Sequence, residues 1–228
     1  MRRLRRKFPR FSELDAMACN VEHHVHTKWT DGKPTVAEAL AVARDRGLRS
    51  IAITEHVRHE GSDWFHAFAV EVRAVGRSVD PMQVLVGCEA KALDTAGGLD
   101  VSEAILDQCD IVLGSVHRWP ASGGGLVNFA ELPQEDFAEL ETSYALGLLK
   151  NPDIDVLAHP GGMYQRRFGK LPDPLMRRLV EAAHASGIAI EISTSYLQDV
   201  PAFIDLVREI DPYVSIGSDA HNVDAIGT

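Results

Sequence analysis

Seven short apolar runs recur along the chain, separated by longer stretches whose apolar positions repeat every three to four residues. The first run lies within residues 21–32 and carries His24-Val25-His26, with Asp31-Gly32 just after it. Pro34-Thr35 opens a helical pattern with Val36, Ala39, Leu40 and Ala43 on one stripe, and Gly47 stops it. Residues 50–54 read as a strand running into Glu55-His56. Residues 63–79 read as a helix with Phe65, Phe68, Val72 and Val75 as its stripe. A third strand over 82–89 ends in Glu89, a turn follows at 96–98, and 102–108 is a short helix capped by Ser102. The fourth strand, 110–117, ends in His117; a flexible loop at 121–125 and a helix over 133–150 follow. The fifth strand, 154–160, carries His159, and a helix over 174–186 stops at Gly187. A sixth strand at 188–193, a helix over 200–210 and a seventh strand at 214–221, ending in Asp219-Ala220-His221, complete the pattern.

Strands that are apolar throughout, alternating with helices, predict a parallel sheet covered on both faces. An open doubly wound sheet and a closed barrel both satisfy that pattern. The polar residues decide between them. His24 and His26, His56, Glu89, His117, His159, and Asp219 with His221 all fall at or just past strand C-termini, on six of seven strands. Strand ends of an open sheet spread along a line, whereas those of a barrel converge on one mouth. The expected fold is therefore an α/β barrel of seven βα units, with residues 1–19 as a basic extension and 20–228 as the domain.

Composition narrows the function. At 228 residues and 45% hydrophobic, the chain can bury a substantial core. It shows no apolar run long enough to span a membrane and no signal-peptide pattern. Cys19, Cys88 and Cys109 are few, odd in number and far apart, which fits reduced strand-core residues in a cytoplasmic protein. Net charge is −10, although the first ten residues hold six of the 23 basic groups; the rest sets 17 basic against 33 acidic groups. Such a body does not favour coating nucleic acid. The basic head is expected to be a solvated, partly mobile terminus.

The clustered residue types point to metal. His24 and His26, two apart on a strand, face the same way. Asp31 can lean back over them as an oxygen ligand. Imidazole with carboxylate suits Zn, Mn or Fe rather than Ca or Mg. Taken alone, a His-x-His pair also fits a merely polar strand end. Six histidines, two aspartates and one glutamate at one mouth exceed the needs of one tetrahedral ion and suit two or three. Of the other histidines, His23 faces away from His24, His184 falls on a surface helix, and His59 and His66 lie near the mouth.

These pieces resemble the PHP family, the polymerase and histidinol phosphatase domain. The matching segments are His24-Val25-His26-Thr27 with Asp31-Gly32, Thr54-Glu55-His56, Gly87-Cys88-Glu89, Ser115-Val116-His117, Ala158-His159-Pro160 and Ser218-Asp219-Ala220-His221, in the family's order. The resemblance implies a distorted (β/α)7 TIM-like barrel holding a cluster of two or three divalent ions, usually Zn, Mn or Fe. It implies a first ion on His24, His26, Glu89 and Asp219. A second would sit on Glu89, His117 and His159, and a third on Asp31, His56 and His221.

The implied reaction is phosphate-ester hydrolysis. A water between two cations would lose its proton near neutral pH and attack phosphorus. Glu89 and Asp219 would serve catalysis, Asp219 by handling the leaving-group proton. Arg118 and Arg166 would clamp the phosphate, with Arg167 and Lys28 as further candidates. Family members usually continue with a closing helix, whereas here seven residues follow His221, so either that helix is missing or the N-terminal segment covers the flank. The loops are also short for a dedicated histidinol phosphatase, which favours another small phosphorylated metabolite. Two alternatives stand beside this reading: a 3′–5′ exonuclease module acting on nucleic acid, and a metal-binding structural or partner domain without activity.

Overall fold

The computed structural model describes residues 7–119, 127–128 and 131–228. The four basic residues Arg2, Arg3, Arg5 and Arg6 and the expected 121–125 loop lie outside them. Seven strands form one parallel sheet in sequential order. They are β1 (Val21–Val25), β2 (Ser50–Val57), β3 (Gln83–Lys91), β4 (Ile111–Ser115), β5 (Val156–Leu157), β6 (Ala189–Ile192) and β7 (Val214–Ile216). The sheet curls until β1 meets the chain beyond β7. There the His26 N–H donates to the Ala220 carbonyl at 2.9 Å and the Ala220 N–H donates to the His24 carbonyl at 3.1 Å. The result is a nearly closed (β/α)7 barrel.

Among the described residues, seven α-helices lie in the connections: α1 (Val36–Asp45), α2 (Phe65–Gly76), α3 (Glu103–Leu106), α4 (Gln134–Leu148), α5 (Gly162–Phe168), α6 (Asp173–Ser186) and α7 (Val200–Ile210). Local chemistry sets their ends. Thr35 and Glu38 form a reciprocal capping box on α1. Gly47, at φ +72°, lets the chain leave α1 in the left-handed region. Asp199 caps α7 by accepting from the Ala202 N–H at 3.1 Å. Ser102 stands at the start of α3 but its side chain makes no capping bond.

Two apolar clusters result. One fills the layer between helices and strands, from Val36 and Leu40 through Phe65, Phe68 and Phe137 to Leu179 and Val207. The other fills the barrel interior with Ala52, Leu85, Ile111, Leu113, Val156, Ala158 and Ala189, and Phe8 joins it from outside the sheet. The N-terminal segment is thus seated rather than solvated from Phe8 onward. The Pro9 carbonyl accepts from the Val214 N–H at 3.0 Å, the Phe11 N–H donates to Pro212, and Arg10 Nη1 donates to the Asp211 carbonyl at 2.9 Å. Burying an aromatic ring is worth on the order of 2 kcal/mol, which adds to these hydrogen bonds in offsetting an ordering cost of about 1–2 kcal/mol per residue. Cys88 and Cys109 are buried as expected, but Cys19 is exposed in the turn before β1.

Helix α5 was not anticipated. Its first residues, Gly162-Met163-Tyr164, follow Gly161, which has no capping side chain. Glu141 of α4 supplies the cap instead, accepting from the N–H groups of Met163 at 3.0 Å and Tyr164 at 2.7 Å. Burial lifts the Glu141 carboxyl from 4.5 to about 7, against the pull of those two donors. A carboxyl raised in the folded state binds its proton more tightly there than in the unfolded chain. Its stabilising contribution is therefore full below about pH 4.5 and is lost as pH rises through about 7. Relative to Glu141→Gln, wild-type unfolding free energy should fall by on the order of 3 kcal/mol between pH 4.5 and 8. Denaturant unfolding across that range checks it; a wild-type-minus-variant difference independent of pH rejects it.

Candidate metal centre

Strand geometry brings the histidines together. His24 lies in β1 and His26 just past it, both fully buried, with their rings 5.1 Å apart. Opposite them stand Glu89, near the end of β3, and Asp219, beyond β7. His24 Nε2 lies 3.4 Å from Glu89 Oε2 and 3.4 Å from Asp219 Oδ1. His26 Nε2 lies 3.3 Å and 3.1 Å from the same two oxygens. Glu89 Oε1 turns the other way, 3.2 Å from His117 Nε2 and 2.9 Å from His159 Nε2. His56 Nδ1 approaches Glu89 Oε2 at 2.9 Å, and its Nε2 lies 3.4 Å from Asp31 Oδ2. His221 Nε2 lies 3.4 Å from Asp31 Oδ1. All nine expected side chains therefore gather at one mouth.

Three overlapping groups can each hold an ion: His24, His26, Glu89 and Asp219; His56, Glu89 and His117; and His26, Asp31, His56 and His221. Glu89 belongs to two of them and also touches His159. The first group is fully buried, whereas Asp31 is exposed. Among the described residues, His24 Nε2, His26 Nε2, Glu89 Oε2 and Asp219 Oδ1 are buried without a hydrogen-bond partner. Unsatisfied buried polar atoms are costly and call for an explanation. A tetrahedral ion with bonds of about 2.0–2.2 Å leaves neighbouring ligand atoms about 3.3–3.6 Å apart. The four contacts of 3.1–3.4 Å come close to those edges, so the donor set fits a divalent cation.

Electrostatics agree. Burial works against the charge on Glu89, but His117, His24 and their neighbours hold its carboxyl well below the usual range. Burial lowers His26, yet Asp219 and Glu89 outweigh it and raise the imidazole to about 9. His24 is likewise raised despite its burial, by Glu191, Asp219 and Glu89. Protons on these rings balance charge where a cation can replace them, so binding a cation displaces protons.

The supporting shell was not anticipated from sequence. Glu191 of β6, fully buried, joins two candidate ligands: Oε1 meets His24 Nδ1 at 2.8 Å and Oε2 accepts from the His159 N–H at 2.6 Å. Such a partner fixes which imidazole nitrogen faces the ion. Glu22 accepts from the N–H groups of His24, Ser218 and Gly227 and so ties β1 to the segment after β7. Glu55 accepts from Thr27, at both its N–H and its hydroxyl, and from the Thr30 hydroxyl, which shapes the loop to Asp31. Glu55 and Glu191 are acids embedded in apolar strand runs, and that was the available signal, whereas Glu22 sits beside His23 in a polar stretch of β1. Tyr196 was also missed; its hydroxyl donates to Asp219 Oδ2 at 2.6 Å.

Strands β5 and β7 are shorter than expected. His159 and Asp219, at φ of +28° and +54°, lie beyond the last strand residues Leu157 and Ile216. Left-handed backbone at non-glycine residues costs about 1–3 kcal/mol and concentrates at functional sites.

The basic candidates divide. Arg166 reaches over the Tyr196 ring, with Cζ 4.2 Å from its centroid, beside the cluster. Arg167 points to Phe168 at 5.3 Å. Arg118 and Lys28 are exposed. His66 pairs with Gln108 at 2.9 Å, and His184 with the Asp211 carbonyl at 3.0 Å on the surface. His23 faces Ser50 and Ser215 at the opposite end of the barrel. A cavity of about 800 Å³ there, lined partly by Phe8 and Arg49, contains none of the nine residues.

Comparison with known proteins agrees with this geometry. Over 213 residues the chain is 27% identical to a Caldicellulosiruptor saccharolyticus protein named "Probable phosphatase", covering 90% of this chain and 81% of that one. It is 27% identical to the DNA polymerase/3′-5′ exonuclease PolX of Bacillus subtilis, covering 89% of this chain but 34% of that protein. The fold matches the crystal structure of a Lactococcus lactis histidinol phosphate phosphatase complexed with zinc, L-histidinol and phosphate. That match has a TM-score of 0.67 at 15% identity and covers 89% of this chain and 86% of that one. Among the described residues no helix is long and apolar enough to cross a membrane. The family model for the PHP domain matches residues 22–195, and the chain belongs to that family of metal-dependent phosphoesterases.

Proposed function

We propose that this protein hydrolyses phosphate monoesters of small metabolites, using two or three divalent ions drawn from Zn, Mn and Fe. The observation that carries the reading is the buried set His24, His26, Glu89 and Asp219, whose facing atoms lack hydrogen bonds and stand close to ligand-edge distances. His24, His26, Glu89 and Asp219 would hold one ion; Glu89, His117 and His159 a second; Asp31, His56 and His221 a third. When bound, the ions supply positive charge for phosphate oxygens and acidify water.

The chain's own groups do the rest. Arg166, beside the cluster, would present a guanidinium fork to phosphate oxygens, and exposed Arg118, next in sequence to His117, is a further candidate. Glu191 keeps His24 and the His159 backbone in register. Asp219 is the candidate for relaying a proton from water to the leaving alkoxide: burial works against its charge, but His24 and His26 hold it as the carboxylate, so it must first receive the proton it passes on.

The acidic body and the zinc, histidinol and phosphate complex of the Lactococcus relative support a small phosphorylated substrate. A second reading, a 3′–5′ exonuclease, draws support from the PolX match, which spans only a third of that protein. Phosphate release from a panel of phosphomonoesters, histidinol phosphate included, is the test. Turnover is expected, falling at least a hundredfold with chelator and returning with Zn or Mn. Cleavage of a 3′-labelled oligonucleotide without phosphomonoester turnover would favour the second reading, and no turnover of either rejects both.

A further inference from the structure

We propose that Tyr196 is a positioning residue that ties the carboxylate of Asp219 to the phosphate-facing guanidinium of Arg166. The inference deepens the proposed function and rests on it for the phosphate half.

Four contacts meet on this one side chain. The hydroxyl donates to Asp219 Oδ2 at 2.6 Å, leaving Oδ1 aimed at His24 and His26. One ring face stacks on His159, with centroids 4.6 Å apart and planes 26° apart. The guanidinium of exposed Arg166 lies 4.2 Å from the ring centroid. Gly162 lies against the ring edge, so close that a Cβ there would sit 2.7 Å from Tyr196 Cδ1. The ring is nearly fully buried, and its loop is docked on both sides. Gln165 Oε1 accepts from the Gln198 N–H at 3.1 Å, and the Ser195 hydroxyl donates to the Ser218 carbonyl at 2.6 Å.

Asp219 needs such an anchor. It lies past the end of β7, at φ +54°, where no strand ladder fixes its side chain. A carboxylate with one oxygen held by a rigid phenol presents the other in one direction only. Partners of this kind typically change metal affinity or activity 10–100-fold when removed. The aromatic face also gives a flexible, exposed arginine one preferred place beside the cluster. A tyrosine that only filled space would need neither the hydroxyl bond nor the arginine.

Two variants separate the roles. Tyr196→Phe keeps the stack and the arginine platform and removes the hydroxyl. Its zinc affinity, measured by chelator competition, should fall about 10–100-fold. Its Ki for inorganic phosphate against p-nitrophenyl phosphate should stay within about twofold, since the platform remains. Tyr196→Leu should in addition weaken phosphate inhibition to the level of Arg166→Ala, and the double variant should be no weaker than either.

Wild-type zinc affinity in Tyr196→Phe overturns the proposal, as does phosphate inhibition unaltered in Tyr196→Leu. If Tyr196→Leu does not fold, the zinc affinity of the Phe variant alone decides. If the wild type turns over no phosphomonoester while Tyr196→Phe still binds zinc more weakly, the phosphatase reading fails and the Tyr196–Asp219 link stands.

Discussion

Glu89→Gln is expected to cut phosphate-ester turnover by about a thousandfold or more, the equivalent of some 4 kcal/mol. Glu89 is the most shared side chain in the cluster. Its two oxygens lie 2.9–3.4 Å from nitrogens of five imidazoles, those of His24, His26, His56, His117 and His159. The substitution preserves shape and removes the charge that lets one carboxylate serve neighbouring cations. An amide also has to point its NH2 at one half of the cluster, where lone pairs are needed. Steady-state turnover together with metal content by elemental analysis checks the expectation. Full metal content with turnover within about tenfold of wild type would remove Glu89 from the centre of the chemistry.

The second large effect is at Glu191. Glu191→Ala should weaken zinc binding and turnover about 10–100-fold. It should also destabilise the metal-free protein by on the order of 2–5 kcal/mol, because His24 Nδ1 and the His159 N–H are left buried without partners. Glu191→Gln retains an acceptor and should fall between the two. Chelator competition and denaturant unfolding measure both quantities; unchanged zinc affinity in the Ala variant would refute the supporting role. The same pair explains Gly217. A Cβ at that position would sit 2.6 Å from His24 Cβ and collide with Glu191 Oε1, so only hydrogen fits there.

The nine candidate ligands were legible in the sequence because strand ends of a barrel share one rim and His, Asp and Glu recur there. The barrel followed from that convergence, not from periodicity, which also allowed an open sheet. Helix α5 was hidden because its cap comes from Glu141 on another helix, 22 and 23 residues before the N–H groups it satisfies. Local patterns carry no sign of a cap supplied from a distance. Strands β5 and β7 are shorter than their apolar runs for a related reason: the segments past Leu157 and Ile216 turn off into left-handed backbone at His159 and Asp219, which side-chain type does not announce. Glu55 and Glu191 were visible as acids inside apolar runs and Glu22 as an acid beside two histidines, but only spatial neighbours reveal what they hold. Tyr196 gave no signal at all, since a lone tyrosine after a strand is unremarkable until Asp219 is found against it.

The seating of Phe8 in the barrel interior bears on how the chain is made. The segment from Phe8 to Phe11 is made some two hundred residues before its partners at 211–214. Closing so long a loop is entropically slow, and contacts of this separation delay folding. The floor of the barrel can therefore be completed only after β7 has been synthesised, and until then the aromatic side chain at position 8 stays available to chaperones.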